Sequence, residues 1–310
     1  MKTIAVMNYK GGVGKTTVTA NLAAGIAETG KKVLLIDIDA QASLTFSFVT
    51  PDYWSKHLQD TKTLKYWFDA VSQGEVPCDL KDLIVTPDKV NAEIHKINPN
   101  GKLDLISSHL GLINVDLDLA TLLGGANLGQ SKRNYIKVHG NLKQALDSFP
   151  EDLYDVVLID CPPNFNIVTK NAIIASDSIL IPTKPDYLST LGIDYLKRSV
   201  EELLKDYNEY LQLGDSNSQL VKTSYLGIVL TMVQEYGGEP IASQQQYIAQ
   251  LKRESIPVFD SYFKLNNTQF SSSQVEGIPV ILNRTSNATI QAVISEASSF
   301  VKEFIGKTGI

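Results

Sequence analysis

Residues 10–17 read Lys-Gly-Gly-Val-Gly-Lys-Thr-Thr and follow directly on a short apolar run, Thr3 to Asn8. The order is that of a strand, a glycine-rich turn and a helix. Val18, Leu22, Ala23, Ile26 and Ala27 recur at helical spacing, and Gly30 is a natural stop. Glycines let backbone N–H groups come close to an anion, and the helix start aims its unpaired N–H groups and positive dipole end at the same point. The run therefore predicts a phosphate-binding loop built from Gly11, Gly12, Val13, Gly14, Lys15, Thr16 and Thr17. Lys15 is expected to reach the β- and γ-phosphates and the Thr16 hydroxyl to bind Mg²⁺. The ordinary pattern asks for a glycine where Tyr9 stands, so this is a deviant loop, and it carries one lysine, Lys10, more than the loop needs.

The rest of the chain repeats strand and helix. Lys32 to Asp39, Leu103 to Ser107, Asp155 to Asp160, Ser178 to Ile181 and Leu226 to Thr231 are near-continuous apolar runs, the mark of parallel strands covered on both faces. Helical patterns at about 113–123, 134–148, 165–175 and 187–211 separate several of them. The alternation predicts an α/β fold, a doubly wound, mostly parallel sheet with helices on both faces. Ligands of such sheets sit beyond the carboxyl ends of the strands. Residues 1–310 are read as one domain with an insertion-like segment at about 49–100. Within that segment Thr63 to Ser72 is expected to be a short helix and the remainder irregular surface structure. Residues 212–221 read as a solvated loop.

Apolar residues make up 43% of the 310, enough for a sizeable core. The two cysteines, Cys78 and Cys161, are far apart and fit a reducing cytosol better than a disulfide framework. No signal peptide or bilayer-spanning run is visible. With a net charge of −6, nucleic-acid binding requires a local basic patch.

Two acidic sites complete the expected chemistry. Asp160 ends an apolar strand and precedes Cys161-Pro162-Pro163, where a carboxylate can hold Mg²⁺. Asp37 and Asp39 share one side of the second strand by the two-residue period. Asp39, nearer the phosphates, is assigned to the attacking water and the magnesium shell. Asp37 is expected to be structural, as a hydrogen-bond partner of the phosphate loop.

Lys10 to Thr16 matches in full the pattern Lys-Gly-Gly-x-Gly-Lys-Thr/Ser, and the chain resembles the deviant Walker-A ATPases, the P-loop group that contains ParA and MinD. Asp37-Ile38-Asp39-Ala40-Gln41, Asp160-Cys161-Pro162-Pro163, and Ile181-Pro182 with Leu188 to Gly192 are similar to the ParA branch over about residues 1–210. Ala40 departs from the usual proline. The resemblance is to the small form, which lacks an N-terminal helix-turn-helix domain and is not expected to bind an operator itself. It implies ATP and Mg²⁺ as ligands and an ATP-sandwich homodimer in which Lys10 reaches the partner's phosphates. Lys10, Lys15 and Asp39 are then the catalytic set, Thr16, Asp39 and Asp160 the metal set, and Pro182, Thr231 and Met232 neighbours of the base.

For a ParA-like protein the resemblance implies a weak ATPase that positions or partitions DNA or another intracellular cargo. It would bind DNA nonspecifically in the ATP state and hydrolyse when stimulated by a ParB-like or cargo-adaptor protein, in the cytoplasm and on the nucleoid. Candidate DNA contacts are Lys197, Arg198, Lys222, Lys252, Arg253, Lys264 and Arg284. A MinD-like membrane ATPase is the alternative and needs a basic amphipathic closing helix. Thr289 to Ile305 places Ile290, Val293, Ile294, Ala297, Phe300, Val301 and Phe304 on one face without a lysine or arginine excess, so a core-packed helix is expected. An electron-transfer protein like the nitrogenase iron protein needs two cluster-binding cysteines per subunit, and Cys78 stands in an unsuitable context.

Overall fold

The computed structural model describes residues 1–214, 218–266, 268–270 and 277–310. Its strands are β1 (Lys2–Val6), β2 (Lys32–Asp37), β3 (Lys102–Ile106), β4 (Val156–Asp160), β5 (Ser178–Thr183), β6 (Ser224–Val233), β7 (Glu235–Tyr236), β8 (Glu239–Pro240) and β9 (Val258–Lys264). The helices are α1 (Lys15–Glu28), α2 (Ser43–Phe46), α3 (Pro51–His57), α4 (Leu64–Ser72), α5 (Asp88–Ile97), α6 (Leu112–Thr121), α7 (Leu128–Asp147), α8 (Ile167–Ala175), α9 (Tyr187–Gly214), α10 (Ala242–Leu251) and α11 (Ala288–Thr308).

Seven parallel strands form one sheet in the order β3-β2-β4-β1-β5-β6-β9, and β7 and β8 form a small antiparallel hairpin. The sheet is doubly wound, as the alternation of runs predicts. Side chains alternate between two cores. Ala5, Leu34, Ile36 and Ile159 pack under α4, α6, α7, α8 and α9. Ile4, Val6, Val33 and Leu35 pack under α1, α5 and α11. The approach of α1 to α11 depends on Gly25, where a Cβ would lie 2.6 Å from Val301 and from Ile281. The closing helix α11 begins on the Asn287 side chain, which accepts from the Thr289 and Ile290 N–H groups, and ends at Gly309 in the left-handed conformation. Its Phe300 meets Phe259 and Phe263 at ring-centroid distances of 5.1 and 5.4 Å. Burying each ring contributes about 1.5–3 kcal/mol.

The segment 49–100 departs from the sequence expectation. The predicted helix is there, started by the Thr63 hydroxyl on the Tyr66 N–H. The remainder is not irregular surface: it holds α3, a 3₁₀ turn at Leu80–Leu83 and α5. Trp54, Leu58, Val90 and Ile94 enter one core, while Trp67, Phe68, Leu80 and Leu83 enter the other. Apolar residues divided between two cores leave no single period to read. The loop expected at 212–221 is also shifted, since α9 runs through Gly214, and residues 215–217 lie outside the described residues.

Strand register sets the site. Val6 pairs with Asp160, and Asp160 with Asp37, so β1, β4 and β2 end level. The phosphate loop, Cys161-Pro162-Pro163 and the Ile38–Gln41 turn all leave the sheet from that one edge.

Candidate nucleotide site

β1 passes into the loop through Asn8, which is buried. Its amide donates to the Pro182 carbonyl at 2.8 Å and the Thr183 hydroxyl at 3.1 Å, and its Oδ1 accepts from the Lys10 N–H at 2.9 Å. The Thr231 hydroxyl donates to the Val13 carbonyl at 2.8 Å. The loop is thus tied to the ends of β5 and β6. Gly12 and Gly14 have φ of +67° and +80°, which other residues adopt only with strain. Gly14 begins α1 with no side-chain cap, and the first turn carries no acidic residue. An uncapped helix start beside a glycine cradle fits a phosphate chain.

Lys15 is almost fully buried, with Nζ at 3.4 Å from both the Asn8 and Lys10 carbonyls. Burial lowers its pKa, and Asp160 and Asp39 pull it back up. The Thr16 hydroxyl donates to Asp160 Oδ2 at 2.7 Å, and the Thr19 hydroxyl to Oδ1 at 3.2 Å. Burial pushes Asp160 up to about 7. Burial and the neighbouring Asp160 push Asp37 up to about 8. Thr16, Asp160 and Asp39 are hard oxygen donors beside the phosphate cradle, the donor set that suits magnesium.

Asp37 does not bond to the phosphate loop as expected. It accepts from the Thr45 N–H and hydroxyl, both at 2.7 Å, and from the Asp39 N–H at 3.2 Å. The acidic partner of the loop is instead Asp160, through Thr16. The strand stops at Asp37, so Asp39 stands not on an extended strand but in a turn closed by Ala42 N–H to its carbonyl at 2.8 Å. Ala42 takes φ of +52° there.

Lys10 stands on the rim of the loop. Its ammonium lies 2.7 and 2.8 Å from the two carboxylate oxygens of Asp186, at the start of α9. Sequence reasoning missed Asn8, Thr183 and Asp186. Only the Pro-Asp-Tyr start of the predicted helix at 187 could have flagged Asp186 as a cap. Of the expected base neighbours, Pro182 accepts from Asn8 and Thr231 donates to Val13, and Met232 follows Thr231 with an unusual φ of +55°.

Several of the basic candidates are engaged within the chain. Lys197 reaches Ser255, two residues past Arg253, at 2.7 Å and pairs with Glu201 at 3.9 Å. Lys264 is paired with Glu235 and Glu296, Arg284 with Glu28, and Lys222 is exposed. The closing helix α11 buries Val293, Ile294, Ala297, Phe300, Val301 and Phe304, as the sequence predicts, and only Ile290 is half-exposed. Among the described residues no helix is long and apolar enough to cross a membrane. Cys161 is buried and Cys78 half-buried, both as free thiols.

A level row of parallel strands, a glycine cradle on an uncapped helix, a buried lysine and a threonine bonded to a strand-end aspartate define a P-loop nucleotide-binding protein. Residues 1–213 match the AAA domain family, and the chain belongs to it. Soj, the sporulation initiation inhibitor protein of Bacillus subtilis, is 31% identical over 237 residues, covering 76% of this chain and 79% of Soj. The chromosome partitioning protein ParA of Caulobacter vibrioides is 27% identical over 301 residues, covering 97% of this chain and 94% of ParA. Among solved structures, the ATP complex of a Cyanothece McdA variant superposes with a TM-score of 0.69 at 20% identity, over 100% of this chain and 97% of that one. That last likeness is one of fold. Within the family the chain is a P-loop ATPase of the ParA type.

Proposed function

We propose that the chain is an ATP-driven positioning switch. Two copies associate around ATP and Mg²⁺, hold DNA without sequence preference, and separate when a partner protein stimulates hydrolysis. The cargo is DNA or another large intracellular object. The name of the Caulobacter vibrioides relative, chromosome partitioning protein ParA, supports partitioning as the task. The observation that carries the reading is the placement of Lys10, a cation on the rim of a loop already supplied with Lys15, beside an exposed apolar stripe. On α9, Tyr187, Leu188, Leu191 and Tyr195 are 62, 64, 57 and 66% exposed. Their spacing puts them on one helix face. The Tyr195 ring lies 5.4 Å from Tyr9, which lies 5.8 Å from Phe165, so the stripe continues across the loop. An apolar face around a charged rim suits a second copy of the chain.

The residues divide the work. Backbone N–H groups of Gly11 to Thr17 and the Lys15 ammonium hold the β- and γ-phosphates. Thr16 and Asp160 would hold magnesium, with Asp39 in its outer shell. The ion, when bound, neutralises charge on the phosphate oxygens. Asp39 orients the attacking water, and Lys10 of the other copy stabilises charge spread over the transferring group. Pro182, Thr231 and Met232 border the base. Lys197, Arg198, Lys252 and Arg253 are the basic residues that would meet DNA.

The test is DNA co-sedimentation with ATP, ADP or no nucleotide, across a salt series, with liposomes alongside. Retention on DNA that needs ATP and falls steeply with salt supports the reading. Retention on liposomes alone, or on DNA irrespective of nucleotide, sinks it.

A further inference from the structure

Asp37 at the end of β2, Asp39 in the turn after it, Thr45 of α2 and Ser108 just past β3 close a ring of hydrogen bonds. Asp37 accepts from the Asp39 N–H at 3.2 Å and from Thr45, by N–H and by hydroxyl, at 2.7 Å. The Thr45 hydroxyl accepts from the Ser108 N–H at 2.9 Å. The Ser108 hydroxyl donates to the Asp39 carbonyl at 2.6 Å, which returns to the start. Asp37, Thr45 and Ser108 are fully buried. Outside the ring, the Trp54 indole N–H donates to the Ser108 carbonyl at 3.1 Å, and its ring lies 5.3 Å from His109 and 5.7 Å from Phe46.

The ring is asymmetric. Three members are locked in the interior, and the fourth, Asp39, stands at its open side with its carboxylate toward the loop edge. Within the turn, Oδ1 accepts from the Gln41 N–H at 2.9 Å. The carbonyl of Asp39 takes two bonds, from Ala42 N–H and from Ser108. The Ala42 bond holds the turn to itself; the Ser108 bond ties the Asp39 carbonyl to the end of β3, while Ile38 N–H ties the start of the turn to Asp160 of β4. Ala42 keeps a left-handed backbone, a strained state that persists only where its surroundings hold it.

We propose that Ser108 is a positioning residue for ATP hydrolysis. It fixes the backbone of Asp39, and through it the carboxylate that orients the water, with Thr45 as the link to Asp37 and Trp54 as the outer brace. The inference rests on the assignment of Asp39 to the water. It gives α3, in the segment read as an insertion, a direct mechanical connection to turnover. A displaced turn costs rate while leaving the phosphate grip intact, because Asp37, Thr45 and Ser108 are fully buried and, of the ring, Asp39 alone is partly exposed.

The experiment measures phosphate release at saturating Mg-ATP, KM for ATP, affinity for a fluorescent ATP analogue, and melting temperature for the parent and its variants. Ser108→Ala removes one hydroxyl, and losing one bond of about 1 kcal/mol corresponds to about a fivefold lower kcat. KM and analogue affinity stay within about twofold, because the ground-state contacts are kept. Thr45→Val gives the same pattern and Thr45→Ser restores the parent rate, so the proposal stands even where Ser108→Ala folds poorly. Trp54→Phe gives a smaller drop. A purely structural ring would lower the melting temperature and leave kcat per folded molecule unchanged, and that result overturns the proposal. Asp39→Ala is run in parallel. If it still turns over, the assignment of Asp39 fails and the inference with it; if it is inactive while Ser108→Ala and Thr45→Val match the parent, the inference alone fails.

Discussion

The Lys10 ammonium is held by the Asp186 carboxylate of its own chain, 2.7 Å away, and the same carboxylate accepts the Ser189 N–H at 2.9 Å, capping the first turn of α9. Burial alone would raise the Asp186 carboxyl, but the bonds from Lys10 and Ser189 outweigh it and hold the group below its ordinary value. The pair is partly exposed, so it is worth at most about 1 kcal/mol. That is a resting place and not a lock. In the proposed dimer, Lys10 leaves Asp186 to reach the partner's phosphates. Asp186→Asn is therefore expected to strengthen ATP-dependent association by about two- to fivefold, the size of such a pair. Lys10→Ala is expected to abolish it. Sedimentation velocity across an ATP titration measures both. Equal losses in the two variants would place Asp186 in the dimer contact itself.

Binding and turnover should separate at two residues on opposite sides of the loop edge. Lys15 is the buried cation of the cradle, and Lys15→Ala is expected to remove nucleotide binding. The hydrogen bonds of Asp39 run to Asp37, to its own turn and to Ser108. Asp39→Ala should bind ATP and associate, with kcat down by about 100-fold or more, the scale of a lost water-orienting group. A fluorescent-analogue titration beside a phosphate-release assay reads the two effects. Turnover retained by Asp39→Ala would move the water to another residue.

The α9 stripe gives a third expectation. Leu188→Asp and Leu191→Asp change exposed side chains, so stability should move by no more than about 0.5 kcal/mol. Nucleotide affinity should be unchanged, since neither residue is among Gly11 to Thr17 and both side chains are exposed. ATP-dependent association should weaken at least about tenfold, as expected when a charge enters a desolvated contact. Light scattering with and without ATP checks it; undiminished association would put the second copy on another face.

Acid sensitivity should trace in part to His139 of α7. Its ring is buried against Tyr135, with Nδ1 bonded to the Tyr135 carbonyl at 2.9 Å and Nε2 without a partner among the described residues. Burial pushes its pKa from 6.5 down to about 4, helped by the nearby Lys170 cation and opposed by the Tyr135 bond. The unfolded chain thus takes up a proton that the folded chain refuses. The stability this represents is present above pH 6.5 and is lost as pH falls toward 4. His139→Phe keeps the packing and removes the titration. Its melting temperature should gain on the parent's as pH falls from 6.5 to 4, and parallel acid limbs would refute the assignment.

The residues that were hardest to read are those whose partners are remote in the chain. β9 was missed because it is an edge strand. Of its Val258–Lys264 run, Phe259 and Phe263 are the buried residues, and it lacks the continuous apolar signal of β2 or β4. In segment 49–100, Trp54 and Trp67 serve opposite cores, so α3 and α4 show no shared period. Asp37 and Asp39 look equivalent two residues apart, and only the end of β2 between them buries one and frees the other. Asp186 is 176 residues from Lys10 and Ser108 is 69 from Asp39, distances across which no local pattern extends.

Residues 3–30 were sufficient by themselves to determine a strand, an anion cradle and a helix, because turn geometry, helix start and phosphate chemistry are properties of adjacent residues. The runs of valine, isoleucine and leucine likewise determined a parallel sheet covered on both faces. Strand order and register were decided only in three dimensions. They bring Asp160 to Thr16, Asp186 to Lys10 and Ser108 to the Asp39 turn, and so decide which charges are paired, which are buried, and which stand free to act. Such pairings follow from how whole strands stack against common cores, a cooperative balance of burial that no short stretch of chain contains.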